Sequence, residues 1–371
     1  MKTRFDAVPR SIAGRLDWLR LARSRGVGPA TFARLVGEHG SAGAALESLP
    51  RLAAEAGLVR YAPASAEAVR IEHEAAEKAG ARLLLLGEPD YPPMLAATAG
   101  APPVLWAIGD PGLAARPAVA IVGARNASAL GCRMAARLAA DLGQAGLVVA
   151  SGLARGIDAA AHRAALATGT IAVQAGGIDE VYPPENAGLA AEIAARGLRL
   201  SEMPMGHPPR PQDFPRRNRI VSGLALGVVV IEGAERSGSL ITARNALDQG
   251  REVMAVPGNP LDPRAGGCNQ LIRDGATLVR SAADIAEALA ATLGERLAVP
   301  APAAPHPAPA AAGPDDPLAP RLLALLGTTA VAEDVLTRDL AAPTAAIAAA
   351  LVELEIEGRV RRHPGGLVSL G

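Results

Sequence analysis

The middle of the chain, from about residue 83 to residue 293, alternates short aliphatic runs with amphipathic segments of helical length. The runs that we predict as strands are residues 118–122, 147–150, 170–173, 198–200, 228–231 and 253–256. Amphipathic stretches such as 135–142 and 242–247 lie between them. Near-continuous apolar strands separated by helices predict a parallel sheet covered on both faces. The expected fold class is therefore α/β, a Rossmann-like, doubly wound and mainly parallel sheet.

Segments of different composition flank this core. Residues 11 to about 75 are predicted to be helical, and the glycine turn at 26–29 opens one of the helices. That turn could present N–H groups to phosphate, but we favour a plain helix–helix connection. Residues 300–320 contain eight prolines among alanines, which is typical of a semi-rigid linker. The predicted units are a helical domain, a core, a linker and a small C-terminal domain, at residues 1–80, 81–296, 297–320 and 321–371.

Composition excludes several classes of protein. The 371 residues carry 37 basic and 37 acidic side chains, so any nucleic-acid footprint must be a local patch. All basic residues except Lys2 and Lys78 are arginines, so a phosphate site would be built from guanidinium groups. Cys132 and Cys268 are far apart and the six histidines lack ligand spacing, so we expect no disulfide and no metal. Without a membrane-length apolar run or a secretory signal, we expect a cytoplasmic protein with no membrane partner.

The first loop of the core argues against a nucleotide cofactor. Ligands of such sheets bind outside the carboxyl ends of the strands. The loop after the first predicted parallel strand reads Gly123-Ala124-Arg125, so an arginine stands where GxGxxG has its second glycine. The next strand ends in Ser151-Gly152 instead of a ribose-binding acid. We therefore predict no nicotinamide cofactor, and no other cofactor.

The loops at this edge are rich in arginine, glycine and serine instead. Guanidinium groups and helix N-termini both suit phosphate oxygens, and a basic edge of this width suits a polyanion. Arginines solvated or paired with acids are the structural alternative. Arg125 is our first choice for a phosphate contact. The predicted contact set is Gly123, Arg125, Ser151, Gly152, Arg155, Gly156, Gly176, Gly177, Phe214, Arg217, Asn218, Arg219, Ser237, Gly238 and Ser239.

Taken together, these loops resemble the DprA/Smf family of bacterial DNA-processing proteins. The motifs that carry the resemblance cover about residues 85–285 in order: GARNAS, SGLARGIDAAAH, GGIDEVYPPEN, SEMP, FPRRNRIVSGLA, EGAERSGSLITARNALDQGREVMAVPGN and GGCNQLIRDGA. The resemblance implies an N-terminal helical domain of SAM or helix-hairpin-helix type and a C-terminal winged-helix-like domain. It also implies that the core binds single-stranded DNA and forms a homodimer. The protein would protect incoming DNA and load a RecA-type recombinase in natural transformation, without being an enzyme.

Several residues allow two interpretations. Phe214 and Tyr182 could stack on bases or fill the core, and we rank these equally. Arg217 and Arg219 are two apart in a helix, so at most one points at the ligand. Asp158 and His162 are four residues apart on a predicted helix, a spacing at which His162 could act as a general base. We favour an acid at the helix N-terminus beside a packed histidine.

The C-terminal domain departs from a DNA-reading winged helix. Its third helix, about 344–357, carries three glutamates and no basic residue, whereas Arg359, Arg361, Arg362 and His363 fall in the following wing. We predict protein contact or weak DNA contact through the wing. Two rival functions are a Rossmann-like nucleotide N-glycosidase, with Asp179 or Glu232 as its strand-end acid, and a pure protein adaptor. For both acids we favour a role in organising loops.

Overall fold

The computed structural model describes residues 8–58, 60–293, 318–326, 330–340 and 342–371. Residues 297–317 of the predicted linker lie outside the described residues. Residues 318–320, which we had assigned to the linker, begin a helix that runs from Leu318 to Leu325. The described part of the C-terminal unit begins with this helix.

Four helices form the N-terminal unit: α1 (Ile12–Arg23), α2 (Pro29–His39), α3 (Ala42–Glu55) and α4 (Ala66–Lys78). Serine caps start three of them; in α1 the Ser11 hydroxyl accepts a hydrogen bond from the N–H of Gly14. Helix α2 begins with proline at its first position and ends at Gly40 in the left-handed conformation. These local signals explain why the segment folds as short, separate helices.

The helical unit shares its hydrophobic core with one edge of the sheet. The rings of Trp18 and Phe32 pack with centroids 5.0 Å apart. The indole N–H of Trp18 donates to the carbonyl of Pro103 at 3.0 Å. Glu72 on α4 joins Arg23 of α1 to the indole N–H of Trp106 in the sheet. The two units are therefore separate in sequence but continuous in packing.

A nine-stranded sheet forms the core, and its main parallel part agrees with the six predicted strands. Its strands are β1 (Arg82–Leu85), β2 (Val104–Gly109), β3 (Ala118–Gly123), β4 (Val148–Ser151), β5 (Thr170–Val173), β6 (Leu198–Ser201), β7 (Gly227–Ile231), β8 (Glu252–Ala255) and β9 (Thr277–Leu278). They lie in the order β1-β2-β6-β5-β4-β3-β7-β8-β9. The seven strands from β6 to β9 are parallel, while β2 pairs antiparallel with both β1 and β6. The sequence predicted all the parallel strands except β9, and it missed the antiparallel pair.

Helices cover both faces of this sheet. They are α5 (Pro93–Ala96), α6 (Ala129–Gln144), α7 (Ile157–Ala165), α8 (Ala187–Arg196), α9 (Asp213–Gly223), α10 (Gly238–Asp248), α11 (Gly266–Arg273) and α12 (Ala282–Leu293). Alternate residues of β3 point to opposite cores: Ala120 and Val122 belong to one cluster, and Val119 and Ile121 to the other. Because every strand residue from Ala118 to Val122 is buried, the doubly wound prediction is confirmed.

The C-terminal unit is a small winged helix. It contains α13 (Leu318–Leu325), β10 (Val331–Ala332), α14 (Glu333–Leu340), α15 (Thr344–Ile356), β11 (Val360–His363) and β12 (Leu367–Leu370). It has its own hydrophobic core and contacts α6 through an ion pair of 2.9 Å between Arg133 and Asp339. As predicted, α15 carries glutamates, and Arg362 of the wing pairs with two of the unit's acids, Glu333 and Glu355.

Neither a single membrane-length apolar helix nor a metal-ligating cluster occurs in the described residues. No single helix in them is long and apolar enough to cross a membrane, and α14 with α15 passes such a test only as a pair bent by 117°. No group of three or more metal-ligating side chains occurs in the same residues.

Candidate nucleic-acid interface

The candidate site lies where the winding of the sheet reverses. From β3 the chain runs outward through β4, β5 and β6, and it then returns to β7 on the other side of β3. Crevices of this kind, at the carboxyl ends of the strands, are where open α/β sheets bind ligands. An open cleft of about 730 Å³ is present at this point. Its walls come from the loops after β3, β4 and β7 and from the first turns of α9 and α10.

Arg125 and two aromatic side chains form one wall of the cleft. The exposed guanidinium of Arg125 lies 4.6 Å from the ring centroid of Phe214. The ring of Tyr182 lies 5.6 Å from that of Phe214, tilted by 59°, and Tyr182 is 47% exposed. A cation stacked on an aromatic ring offers a phosphate contact and a flat apolar surface together. This wall can therefore bind both the backbone and a base of a nucleic acid.

A carboxylate lies in or beside the first turn of three of the four helices near the cleft, and that of Glu232 bonds the helix N-cap itself. Glu232 binds the start of α6, where it accepts from the N–H of Ser128 at 2.8 Å. Asp158 accepts from the N–H groups of Gly152 and Ala154 beside α7. Asp213 accepts from the N–H of Arg210 at the start of α9. Their positive dipole ends are thus neutralised inside the protein.

The fourth N-terminus, that of α10, is open. Its first residues, Ser237, Gly238 and Ser239, line the cleft, and their helix has no acid in its first turn and no side-chain cap. The N–H groups of Gly238 and Ser239 have no acceptor among the described residues. The Asn218 amide donates to the Gly238 carbonyl at 3.1 Å, which ties α9 to this turn. Oriented, unsatisfied N–H groups make this turn the natural anion-binding position of the cleft.

Arg217 forms the floor of the cleft and is held by the protein itself. Its guanidinium is buried and donates to the carbonyl oxygens of Gly152 and Val173. Burial lowers the pKa of Arg217 to about 10, opposed by the nearby Asp158 carboxylate. Burial likewise raises the pKa of Asp158, although Arg217 works to lower it. Arg217 and Asp158 are both buried, so they shape the cleft from beneath and present little surface to solvent.

Arg219 lies outside the cleft. It donates to both oxygens of Glu202 at 2.6 Å and also to the Gly100 carbonyl. This agrees with the expectation that at most one of the two helical arginines points to the ligand. The geometry gives Arg219 the role of joining α9 to the segment after β6.

The structure divides the predicted contact set. Nine residues line the cleft: Gly123, Arg125, Gly152, Phe214, Arg217, Asn218, Ser237, Gly238 and Ser239. Arg155 lies in a small adjoining pocket of about 20 Å³, with its guanidinium 3.7 Å from the Glu185 carboxylate. Five residues do not line the cleft: Ser151, Gly156, Gly176, Gly177 and Arg219.

Packing explains why these polar or small residues are present outside the cleft. The buried Ser151 hydroxyl donates to the Ile121 carbonyl at 2.6 Å and so joins two strands. Gly156 has φ +72°, and a Cβ there would overlap the Ala124 carbonyl oxygen. Gly176 and Gly177 lie directly beneath the 204–209 segment, where a Cβ would meet backbone atoms. A glycine or serine after a strand does not reveal by sequence whether it faces a ligand or a neighbouring loop.

The predicted contact set omitted several polar residues that line the cleft, among them Asn126, Thr242 and Arg264. Arg264 belongs to a turn in which Asp262 accepts from it at 2.9 Å. Arg264 follows β8 by several residues, and only the folded position of its turn beside the loop after β7 brings it to the cleft.

Asp158 and His162 do not form a catalytic pair, which agrees with the favoured interpretation of a packed histidine. His162 is fully buried, and its Nδ1 lies 2.7 Å from the Thr170 hydroxyl. Burial and the charge of Arg217 lower the pKa of His162 to about 3, so its ring is neutral at ordinary pH. Asp179, the other strand-end acid, accepts from the N–H of Gly206. Like Glu232, it organises a loop, as expected.

The fold and the site together define a three-unit Rossmann-like protein with an arginine-bearing cleft at the switch point. Family models match each unit: DNA recombination-mediator protein A over residues 82–290, the DprA-like N-terminal HHH domain over 13–75, and the DprA winged helix domain over 306–366. The chain belongs to the DNA recombination-mediator protein A family, also called DprA/Smf. The resemblance noted in the sequence is confirmed.

Individual relatives agree with this assignment. The chain is 46% identical to DNA processing protein DprA of Bacillus subtilis over 213 residues, 57% of this chain and 72% of the relative. It is 40% identical to protein Smf of Escherichia coli over 283 residues, 76% of this chain and 75% of the relative.

Two solved structures are also similar. The first is DNA processing protein A of Streptococcus pneumoniae (TM-score 0.58, 32% identity, 74% of this chain and 92% of that one). The second is DNA processing protein A of Helicobacter pylori, whose structure concerns its single-stranded DNA binding mode (TM-score 0.53, 29% identity, 57% and 96%).

Proposed function

We propose that the cleft binds the sugar-phosphate backbone of single-stranded DNA and that the protein acts as a recombination mediator. The observation that carries the proposal is the pairing of the open α10 N-terminus with the Arg125–Phe214 wall across one cleft. The first supplies N–H donors for a phosphate, and the second supplies a cation and a stacking surface. The Helicobacter pylori relative, which is described as binding single-stranded DNA, supports the choice of ligand.

A binding role without catalysis fits the side chains around the cleft. The carboxylates of Asp179 and Glu232, one of which an N-glycosidase would need as its strand-end acid, both accept from backbone N–H groups. His162 is buried and neutral, so it cannot serve as a general base near pH 7. We therefore propose that the protein holds DNA and does not cleave nucleotides.

The partners follow from the same function. We propose a homodimer through the core, because the outer edge of β9 is unpaired among the described residues and Leu278 on it is 43% exposed. We propose that the winged helix contacts protein, since α15 presents Glu353 and an 82% exposed Ile356. Loading of a RecA-type recombinase onto incoming DNA in natural transformation, within the cytoplasm, completes the proposal. The unpaired thiols of Cys132 and Cys268 suit a reducing compartment.

The test is the binding of a fluorescent oligothymidine, followed by anisotropy, to wild type and Arg125→Ala. Losing one charge-assisted phosphate contact should weaken binding by about 10-fold. Arg137→Ala is the matched control, because Arg137 lies on α6 outside the cleft, 3.8 Å from Asp141 and half exposed. Its affinity should stay within about twofold of wild type. Equal binding by wild type and Arg125→Ala would contradict the site.

A further inference from the structure

The N-terminus of α6 is the position at which a Rossmann βαβ unit usually holds a phosphate group. The first strand of the switch point, β3, leads directly into this helix. In dinucleotide-binding proteins the pyrophosphate lies against the corresponding N–H groups and the positive end of the helix dipole. In this protein the carboxylate of Glu232 lies there instead.

Both oxygens of Glu232 are bonded to the N-cap residue of α6. Oε2 accepts from the backbone N–H of Ser128 at 2.8 Å, and Oε1 accepts from the Ser128 hydroxyl. That hydroxyl in turn accepts from the N–H of Gly131 at 2.9 Å. The result is a capping box, except that its acid arrives from the end of β7 and not from the helix itself.

Gly131 makes room for this acid. It occupies the third helical position, where an ordinary capping box has Glu or Gln. A Cβ at residue 131 would lie 2.5 Å from the Cδ of Glu232, which is closer than real Cβ contacts come. The helix therefore gives up its own third-position side chain so that the carboxylate can lie over its first turn.

The backbone of Glu232 shows that this placement is specific. Its φ is +51°, in the left-handed region that side chains with a Cβ avoid. Only Arg60 and Leu153 share a positive φ among the non-glycine residues that the structure describes. Strained residues of this kind persist where the surrounding contacts hold them, often at ligand sites.

We propose that Glu232 is a specificity-determining residue, an internal substitute for phosphate that closes the α6 N-terminus to the pyrophosphate of free nucleotides. The carboxylate accepts hydrogen bonds from the N-cap residue and places a negative charge where the pyrophosphate of a nucleotide would bind. The α10 N-terminus, which lines the cleft, stays open to single phosphates. The inference rests on the proposed function, because it explains why a cleft at the switch point would prefer single-stranded DNA to a dinucleotide.

The experiment measures the affinity for ADP by isothermal titration in wild type, Glu232→Gly and Glu232→Gln. Glycine accepts the positive φ and frees the N-cap donors, so ADP should bind on the order of 10-fold more tightly to this variant. Glutamine removes the charge but keeps the steric block, so a gain of about threefold is expected. Glu235→Gln is the matched control, because Glu235 is an exposed acid of the same loop, and its ADP affinity should change by less than about twofold.

A role limited to capping would lower the thermal midpoint of both Glu232 variants without raising ADP affinity, and that result would overturn the proposal. An equal gain in Glu235→Gln would also overturn it, because the effect would then be general electrostatics. If Glu232→Gly fails to fold, Glu232→Gln decides alone, and an unchanged ADP affinity refutes the inference. Oligothymidine binding is measured separately, so failure of wild type to bind it would reject the proposed function and leave the ADP result intact.

Discussion

Replacing Arg217 with methionine tests whether this arginine builds the cleft or serves DNA directly. The side chain is buried and donates to the Gly152 and Val173 carbonyls, which belong to two different strand ends. Methionine keeps most of the volume and removes the charge and the donors. We expect the free energy of unfolding to fall steeply, because the neighbouring Asp158 carboxylate would remain buried without its cation.

The magnitude follows from the partners that the substitution leaves behind. Arg217 acts on the buried Asp158 carboxylate through its charge, without a direct ion pair, so its removal should cost less than breaking a buried pair, which costs about 3–5 kcal/mol. Two carbonyl acceptors lose their donor in addition, at about 1 kcal/mol or more each where water cannot reach them. Since domains of ordinary stability unfold at about 5–15 kcal/mol, the variant should remain folded only marginally.

The loss should depend on pH. Burial raises the pKa of Asp158 even with Arg217 present, and without that cation the pKa should rise further. A folded-state pKa above the unfolded value means that the native state holds more protons, so stability falls as pH rises above the unfolded pKa of Asp. The deficit of the variant should therefore be larger at pH 8 than at pH 5.

Urea unfolding followed by circular dichroism at these two pH values measures the effect. Arg216→Met is the control, because Arg216 is the exposed neighbour and should change stability by less than about 0.5 kcal/mol. The double variant Arg217→Met with Asp158→Asn should recover part of the loss. A loss in Arg217→Met no greater than in Arg216→Met would refute the structural role of this arginine.

Three further predictions concern other residues of the core and cleft. His162 has a pKa of about 3 when folded, so the stability present above its unfolded pKa should be lost as pH falls towards 3; His162→Asn should show a smaller loss between pH 6 and pH 4 in thermal unfolding. Phe214→Leu should weaken oligothymidine binding by about 1–3 kcal/mol, and Tyr182→Leu should weaken it less. If Phe214→Leu binds oligothymidine as tightly as wild type does, stacking on Phe214 is excluded. Gly123→Ala should lower the free energy of unfolding sharply, because a Cβ there overlaps the Ile231 carbonyl oxygen. A loss below about 1 kcal/mol would show that β3 and β7 can move apart to accommodate the methyl group.

The sequence predicted the parallel part of the fold well, because its strands are buried on both faces and each reads as an uninterrupted aliphatic run. It missed β1 and β2, although Leu83–Leu85 and Val104–Ala107 are equally apolar, because no helix-length segment separates them as a crossover would. The two-residue strand β9 carries too little pattern to detect. Antiparallel pairing and very short strands depend on tertiary contacts, which a local pattern does not contain.

The candidate site was predictable by location but not by side-chain direction. Loop composition identified Arg125 and the Ser237–Ser239 turn, which do line the cleft. The same reasoning included Arg219, which instead pairs with Glu202 from another strand end. Whether an arginine faces a ligand or a carboxylate is decided by residues distant in sequence, and the role of Glu232 at α6 was hidden for the same reason.

Single-stranded DNA is proposed to bind this edge of the sheet through its phosphates, and the salt dependence of oligothymidine binding tests that proposal most directly. For single strands the slope of log K against log salt is about −0.7 for each phosphate contact. We expect a clearly negative slope for wild type and a slope shallower by about 0.7 for Arg125→Ala. A wild-type affinity that does not change with salt, or identical slopes for the two proteins, would contradict the proposed interface.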